Sequence, residues 1–146
     1  MEISVVIPAY NAERCLNITL KSLFSMKLSK EYEVIVVDDG STDKTKSIVK
    51  KYKKAKLICQ NRKGPGAARN IGIKKAKGQF IYFIDSDCEV EKDTVQKLYD
   101  YITNKRKIGA VGGSIELPRT EKNILAIADH YCSWYHHNPG QKSGQV

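Results

Sequence analysis

Tyr32-Glu33-Val34-Ile35-Val36-Val37-Asp38-Asp39-Gly40-Ser41 decides the fold of this chain. Val34 to Val37 are all β-branched, and such side chains favour an extended backbone. A strand with one wet face would alternate apolar and polar residues. An unbroken apolar run suits a sheet covered on both faces, which is the habit of parallel sheets. The run ends in two carboxylates, a glycine and hydroxyl residues, so a turn is predicted there. Ser41 or Thr42 is placed to cap a helix reaching about Lys54, with Ile48, Val49 and Tyr52 facing inward.

The same grammar repeats on either side. Ile3 to Pro8 reads as a buried strand ended by its proline, which cannot continue a ladder. Asn11 offers a cap for a helix from Ala12 to about Met26, where Leu16, Leu20, Leu23 and Phe24 recur at helical spacing. Lys56 to Cys59 is a weaker strand. Gly64-Pro65-Gly66 forms a loop before a helix over Ala67 to Lys77. Gln79 to Ile84 reads as a strand, Asp93 to Lys105 as a helix with Val95, Leu98 and Ile102 inward, and Ile108 to Ile115 as a last strand. Strands alternating with helices predict an α/β fold: a mostly parallel sheet with helices on both faces. The composition changes after Pro118, so residues 1–117 form the expected domain and 118–146 the start of a further region, partly loop.

The chain has 146 residues, enough for one core. It lacks an apolar stretch long enough to span a bilayer and a signal-like N-terminus, which makes a cytoplasmic protein the expectation. Cys15, Cys59, Cys88 and Cys132 match no zinc spacing and are expected to be reduced and mostly buried. The net charge of +9 calls for an anionic partner: nucleic acid, an acidic membrane surface or a phosphorylated small molecule. The lysines between Lys44 and Lys54 form either a solvated face or a peripheral membrane contact at the inner face of a membrane. They lack the aromatic interleaving of nucleic-acid modules, so no nucleic-acid partner is expected. His130, His136 and His137 have no companion ligands at metal spacing.

Parallel α/β sheets gather ligands at the carboxyl ends of their strands. Three such ends are polar here: Pro8-Ala9-Tyr10-Asn11, Asp38-Asp39, and Asp85-Ser86-Asp87. Carboxylates that end apolar strands are costly to desolvate unless they find partners. Asp85 and Asp87, one residue apart, could share a hard cation that also bridges substrate phosphates, although an isolated Asp-x-Asp also makes an ordinary turn. Arg62, Lys63 and Arg69 lie close by in sequence. Arg69 is suited either to a diphosphate or to an ion pair with Asp39 or Asp85.

Val5-Val6-Ile7-Pro8-Ala9-Tyr10-Asn11, Val36 to Asp43, Gly66-Ala67-Ala68-Arg69-Asn70-Ile71-Gly72 and Phe83-Ile84-Asp85-Ser86-Asp87 occur in an order and at distances that resemble the family-2 glycosyltransferases of GT-A fold. The resemblance covers residues 1–117. It implies that these residues form a nucleotide-sugar-binding domain and that 118–146 begin an acceptor-binding region. Pro8, Ala9, Tyr10 and Asn11 would line the nucleoside pocket, with Asp39 accepting a hydrogen bond from the base and Asp38 supporting the turn. Gly66 and Arg69 would border the base or diphosphate. Asp85 and Ser86 would lie near the ribose or sugar, and Asp87, with Asp85, would hold Mn²⁺ or Mg²⁺. The donor implied is a nucleoside-diphosphate sugar, most often a UDP-sugar. The acceptor is a hydroxyl of a glycan, lipid or protein, attacked with inversion.

The family's catalytic base belongs to an acidic motif further along the chain. None of Glu89, Glu91, Asp93, Asp100, Glu116, Glu121 and Asp129 sits in such a motif, so no base is assigned and the chain is expected to be a piece of a longer protein. A sugar-nucleotide-binding module without turnover is the alternative. An aspartate-based, Mg²⁺-dependent phosphohydrolase fits less well, since it expects Thr or Val where Glu89 stands. A dinucleotide oxidoreductase would need glycine where Arg69 stands.

Overall fold

The computed structural model describes residues 1–105 and 108–113. The elements follow in the order β1 (Ile3–Ala9), α1 (Leu16–Phe24), β2 (Tyr32–Asp38), α2 (Thr45–Lys50), β3 (Ala55–Cys59), α3 (Pro65–Lys75), β4 (Phe80–Phe83) and α4 (Thr94–Asn104). The chain divides into two compact units, Met1–Tyr101 and Ile102–Val146. The expected boundary at 117/118 lies outside the described residues.

Within the first unit the four strands form one sheet in the order β3-β2-β1-β4, parallel throughout. The two central strands are the most apolar. Every residue of β1 is buried, as are the last five of β2. One face of the sheet packs Ile3, Val5, Ile7, Val34 and Val36 against the leucines of α1, Val49 of α2 and Val95 of α4. The other packs Ile35 and Val37 against Ala68 and Ile71 of α3. Consecutive β2 side chains thus enter different layers, which is why the run does not alternate. Leu16, Leu20 and Leu23 are 0 % exposed, and each contributes roughly 2 kcal/mol through burial. Phe24 stacks on Tyr52 at 5.5 Å, joining α1 to the turn after α2.

On the opposite face, α3 lies so close to the sheet that a Cβ on Gly72 would stand 2.2 Å from Val6 Cγ1. Only a glycine allows this approach.

Several local expectations are corrected. Pro8 does not end β1: the strand continues to Ala9, with Pro8 opposite Val37. Glu2 and Val6 accept bonds from Phe80 and Ile84 on the β4 side, whereas Ala9 accepts from Asp39 on the β2 side. By this alternation Pro8 turns its missing N–H towards β4, whose pairing with β1 stops at Val6. Asn11 does not cap α1. It adopts a left-handed φ of 47° and its Oδ1 accepts from Thr42 N. Neither Ser41 nor Thr42 caps α2; the Asp43 carboxylate accepts from Thr45 N. The strand expected over Ile108–Ile115 is not formed in its described part, 108–113, where Gly109, Gly112 and Gly113 have no side chains to pack. The cysteines are less buried than expected: Cys59, the last residue of edge strand β3, is exposed and Cys15 and Cys88 are half-buried, all three as free thiols. Cys132 and the three histidines lie outside the described residues.

Candidate functional site at the strand ends

The carboxyl ends of β1, β2 and β4 surround a cleft of about 340 Å³. Pro8, Ala9, Tyr10, Asp39, Arg69, Asp85, Ser86 and Asp87 all line it. Two residues expected there do not: Asn11 and Gly66. Asn11 is used in joining loops. Its N–H donates to Ser41 Oγ at 3.0 Å while its side chain holds Thr42. Gly66 stands exposed in the first turn of α3.

The loops after β1 and β2 are stitched into one wall. Ala12 N donates to Thr45 Oγ1 at 2.8 Å, Glu13 N to Asp43 Oδ2, and Lys44 N back to Glu13 Oε2. Burial alone would raise the pKa of Asp43, but hydrogen bonds from Thr45 and Glu13 outweigh it and hold the carboxyl below its ordinary value. Asp38 is wholly buried and accepts from Ser41 N at 3.2 Å, which shapes the turn at Gly40.

Asp39 is 3 % exposed. It accepts from Gln60 Nε2 and Lys63 N on Oδ1, and from Gly64 N on Oδ2 at 2.8 Å. Desolvation pushes its pKa up. The bonds from Lys63, Gln60 and Gly64, with the nearby charge of Arg62, prevail and leave it lowered. Asp39 is therefore an anion, and it fixes the loop that leads into α3. Gly40 turns at φ 78°, and a Cβ there would meet Arg62 N at 3.0 Å.

On the β4 side, Arg69 Nη2 donates to Asp85 Oδ1 at 2.5 Å. Of the partners considered for Arg69, Asp85 is the one it takes in this structure. Asp87 has no cationic partner among the described residues. The turn itself is anchored from below: Thr19 Oγ1 donates to Ser86 O at 2.8 Å, and Val90 N donates to Ser22 Oγ. Burial, then the charges of Asp87 and Asp85, push the Cys88 thiol up, so it stays protonated beside them.

Arg62, Gly64 and Pro65 also line the cleft. Arg62 stands over the Tyr10 ring, its Cζ 4.2 Å from the centroid. Its charge and its nearness to the strand ends were visible in the sequence, but nothing there indicated a stacking partner. Gln60 carried no signal; only its register beside β2 brings it to Asp39.

The fold is that of an α/β protein with a cleft where its parallel strands end, the position at which such sheets gather ligands. The chain belongs to glycosyl transferase family 2, whose family model matches residues 4–139. It is 41 % identical over 108 residues to the poly(ribitol-phosphate) beta-N-acetylglucosaminyltransferase TarS of Staphylococcus aureus, covering 70 % of this chain and 19 % of TarS. To a poly(ribitol-phosphate) beta-glucosyltransferase of Bacillus spizizenii it is 42 % identical over 108 residues, covering 69 % and 17 %. The crystal structure of S. aureus TarS 1–349 matches with a TM-score of 0.68 and 35 % identity, over 84 % of this chain and 40 % of that one. The same fragment in complex with UDP matches equally. The parallel α/β sheet is thus of the GT-A type, and the chain spans about a fifth of the length of the curated relatives it matches first.

Proposed function

We propose that this chain forms the donor site of a glycosyltransferase that takes a UDP-sugar and transfers the sugar, with inversion, to an acceptor hydroxyl. The observation that carries the reading is the meeting of Tyr10, Asp39, Arg69, Asp85 and Asp87 around one cleft. The TarS fragment has been crystallised with UDP and with UDP-GlcNAc, which supports uridine as the base.

Each residue has a part that its chemistry suits. Tyr10 offers a half-exposed ring on which a base can stack. A carboxylate has about four acceptor positions; three protein donors engage Asp39, which leaves room on Oδ2 for the N–H of uracil. Arg69 gives Asp85 part of a five-donor fork and keeps the remainder for phosphate oxygens.

The carboxylates suit a divalent cation of a particular kind. Asp85 and Asp87 are both exposed, and no group of three or more potential ligands exists among the described residues. Mg²⁺ and Mn²⁺ accept such a sparse oxygen set when substrate phosphates complete it. The fit is therefore to a cation that arrives with the diphosphate, held by Asp87 with Asp85. When bound it would offset the charge of the leaving diphosphate.

Calorimetry with UDP, GDP and TDP, each in Mn²⁺ and in EDTA, tests the reading. UDP is expected to bind in Mn²⁺ and GDP much more weakly, with TDP, whose base carries the same N–H, between them. Failure of all three nucleotides to bind in either buffer overturns it.

A further inference from the structure

Residues 44–84 contain eleven lysines, two arginines and no aspartate or glutamate, while the remainder of the chain holds twelve basic and sixteen acidic residues. The whole excess of positive charge belongs to one continuous stretch, α2 to β4. The fold then divides these cations. Arg62 and Arg69 line the cleft. None of the eleven lysines does, and eight of them gather at one end: Lys50 ends α2, Lys51, Lys53 and Lys54 fill the turn, Lys56 is on β3, and Lys74, Lys75 and Lys77 lie at and just beyond the end of α3. Helices that connect parallel strands run back along the sheet. Their last turns therefore share the end from which the next strands start, opposite the cleft. Because β3 is an edge strand, this group continues around the sheet edge from the α2 face to the α3 face.

All eight lysines are exposed. None forms an ion pair among the described residues, whose pairs involve Met1, Arg69 and Lys97. The carboxylates at the same end are otherwise engaged: Glu31 with the N-terminus, Glu33 with Ser4 and Lys77 N, Glu2 with Tyr99. A lysine on an edge strand deters unwanted pairing, which accounts for Lys56 but not for the other seven.

We infer that this end of the domain is a docking surface for an anionic lipid bilayer, with the donor cleft directed away from the lipid. Four features select a lipid surface over a folded or polymeric polyanion. The cations are all lysines, point charges on flexible stems suited to a diffuse headgroup layer, with no guanidinium fork for bidentate phosphate recognition. They are spread over two helix ends and a strand. Their number is that of polybasic clusters that bind acidic lipid. Ile73, 43 % exposed, stands beside Lys74 and Lys75 in the last turn of α3, an apolar residue among cations as at a membrane interface. No described helix is long and apolar enough to cross a membrane, so the contact is with the surface. This surface shares no residue with the cleft.

Co-sedimentation with vesicles of phosphatidylcholine, alone and mixed with phosphatidylglycerol, tests the assignment, with UDP affinity measured on the same samples. The protein is expected to bind the mixed vesicles only, and to be released when salt shortens the Debye length to about 3 Å. Each lysine near such a surface is worth roughly fivefold in partitioning. The quadruple variant Lys50→Gln, Lys51→Gln, Lys53→Gln, Lys54→Gln should therefore lose about 100-fold or more, with UDP affinity and melting temperature unchanged. Lys92→Gln, outside the cluster, should lose nothing comparable. Equal binding to both vesicles, binding to neither, or undiminished binding by the quadruple variant overturns the inference. So does soluble polyphosphate or duplex DNA binding as tightly as the mixed vesicles at equal phosphate. The donor reading is judged by UDP affinity alone and can fail or stand independently.

Discussion

The guanidinium of Arg62 lies over the ring of Tyr10, 4.2 Å from its centre, at the mouth of the strand-end cleft. The two residues come from loops after different strands, and their stacking closes one side of the proposed base site. Tyr10→Ala removes the ring for base stacking, an interaction worth about 1–3 kcal/mol. UDP affinity measured by calorimetry should fall roughly 5- to 150-fold. Arg62→Ala removes the other half of the stack that closes this side, so it should weaken uridine as well as UDP. Uridine affinity left unchanged would contradict that placement.

On the proposed reading the metal dependence rests on Asp87, which has no cationic partner among the described residues. Asp87→Ala should lower UDP affinity in Mn²⁺ by about tenfold or more, since one of the few protein ligands of the cation is lost. In EDTA the variant and the parent should agree. UDP binding by the parent that is indifferent to EDTA would count against the cation bridge.

Asp39 predicts a pH dependence of stability. Its folded pKa lies below the ordinary value of 3.8, so its contribution is present above that value and is lost as pH falls through the folded pKa. Asp39→Asn should cost about 1–3 kcal/mol at neutral pH, by setting an amide against three donors. The gap between variant and parent in chemical denaturation should then narrow below about pH 3.8. Asp43 is depressed as well, so the variant keeps some acid sensitivity. A gap that widens on acidification would reverse the assignment.

Gly72→Ala places a methyl 2.2 Å from Val6 Cγ1, between α3 and a fully buried strand. Overpacking of this kind costs about 1–3 kcal/mol. Thermal melts should show the loss. UDP affinity at a temperature where the variant remains folded should change little, because neither residue lines the cleft.

Much of this was legible in the chain. Continuous β-branched runs over β1 and β2 indicated a sheet buried on both faces, and leucines at helical spacing marked the inner side of α1. Polar clusters after strands named most of the residues that line the cleft. Periodicity and composition are local properties, and they suffice where the physical requirement is local: a side chain in or out, a strand begun or ended. The acid-free stretch from residue 44 to 84 was equally readable, but its division into cleft arginines and a remote lysine surface needed the strand order.

What only the tertiary structure decided is which partner each polar group takes. Asn11 could cap a helix or join two loops, Arg69 could pair with Asp39 or Asp85, and Gln60 gave no sign of reaching Asp39. Pro8 ends a strand when judged alone, yet it is accommodated because β4 has stopped pairing beside it. Hydrogen bonds act over about 3 Å and are indifferent to sequence separation. Their choice is made only after the sheet register has placed distant turns side by side.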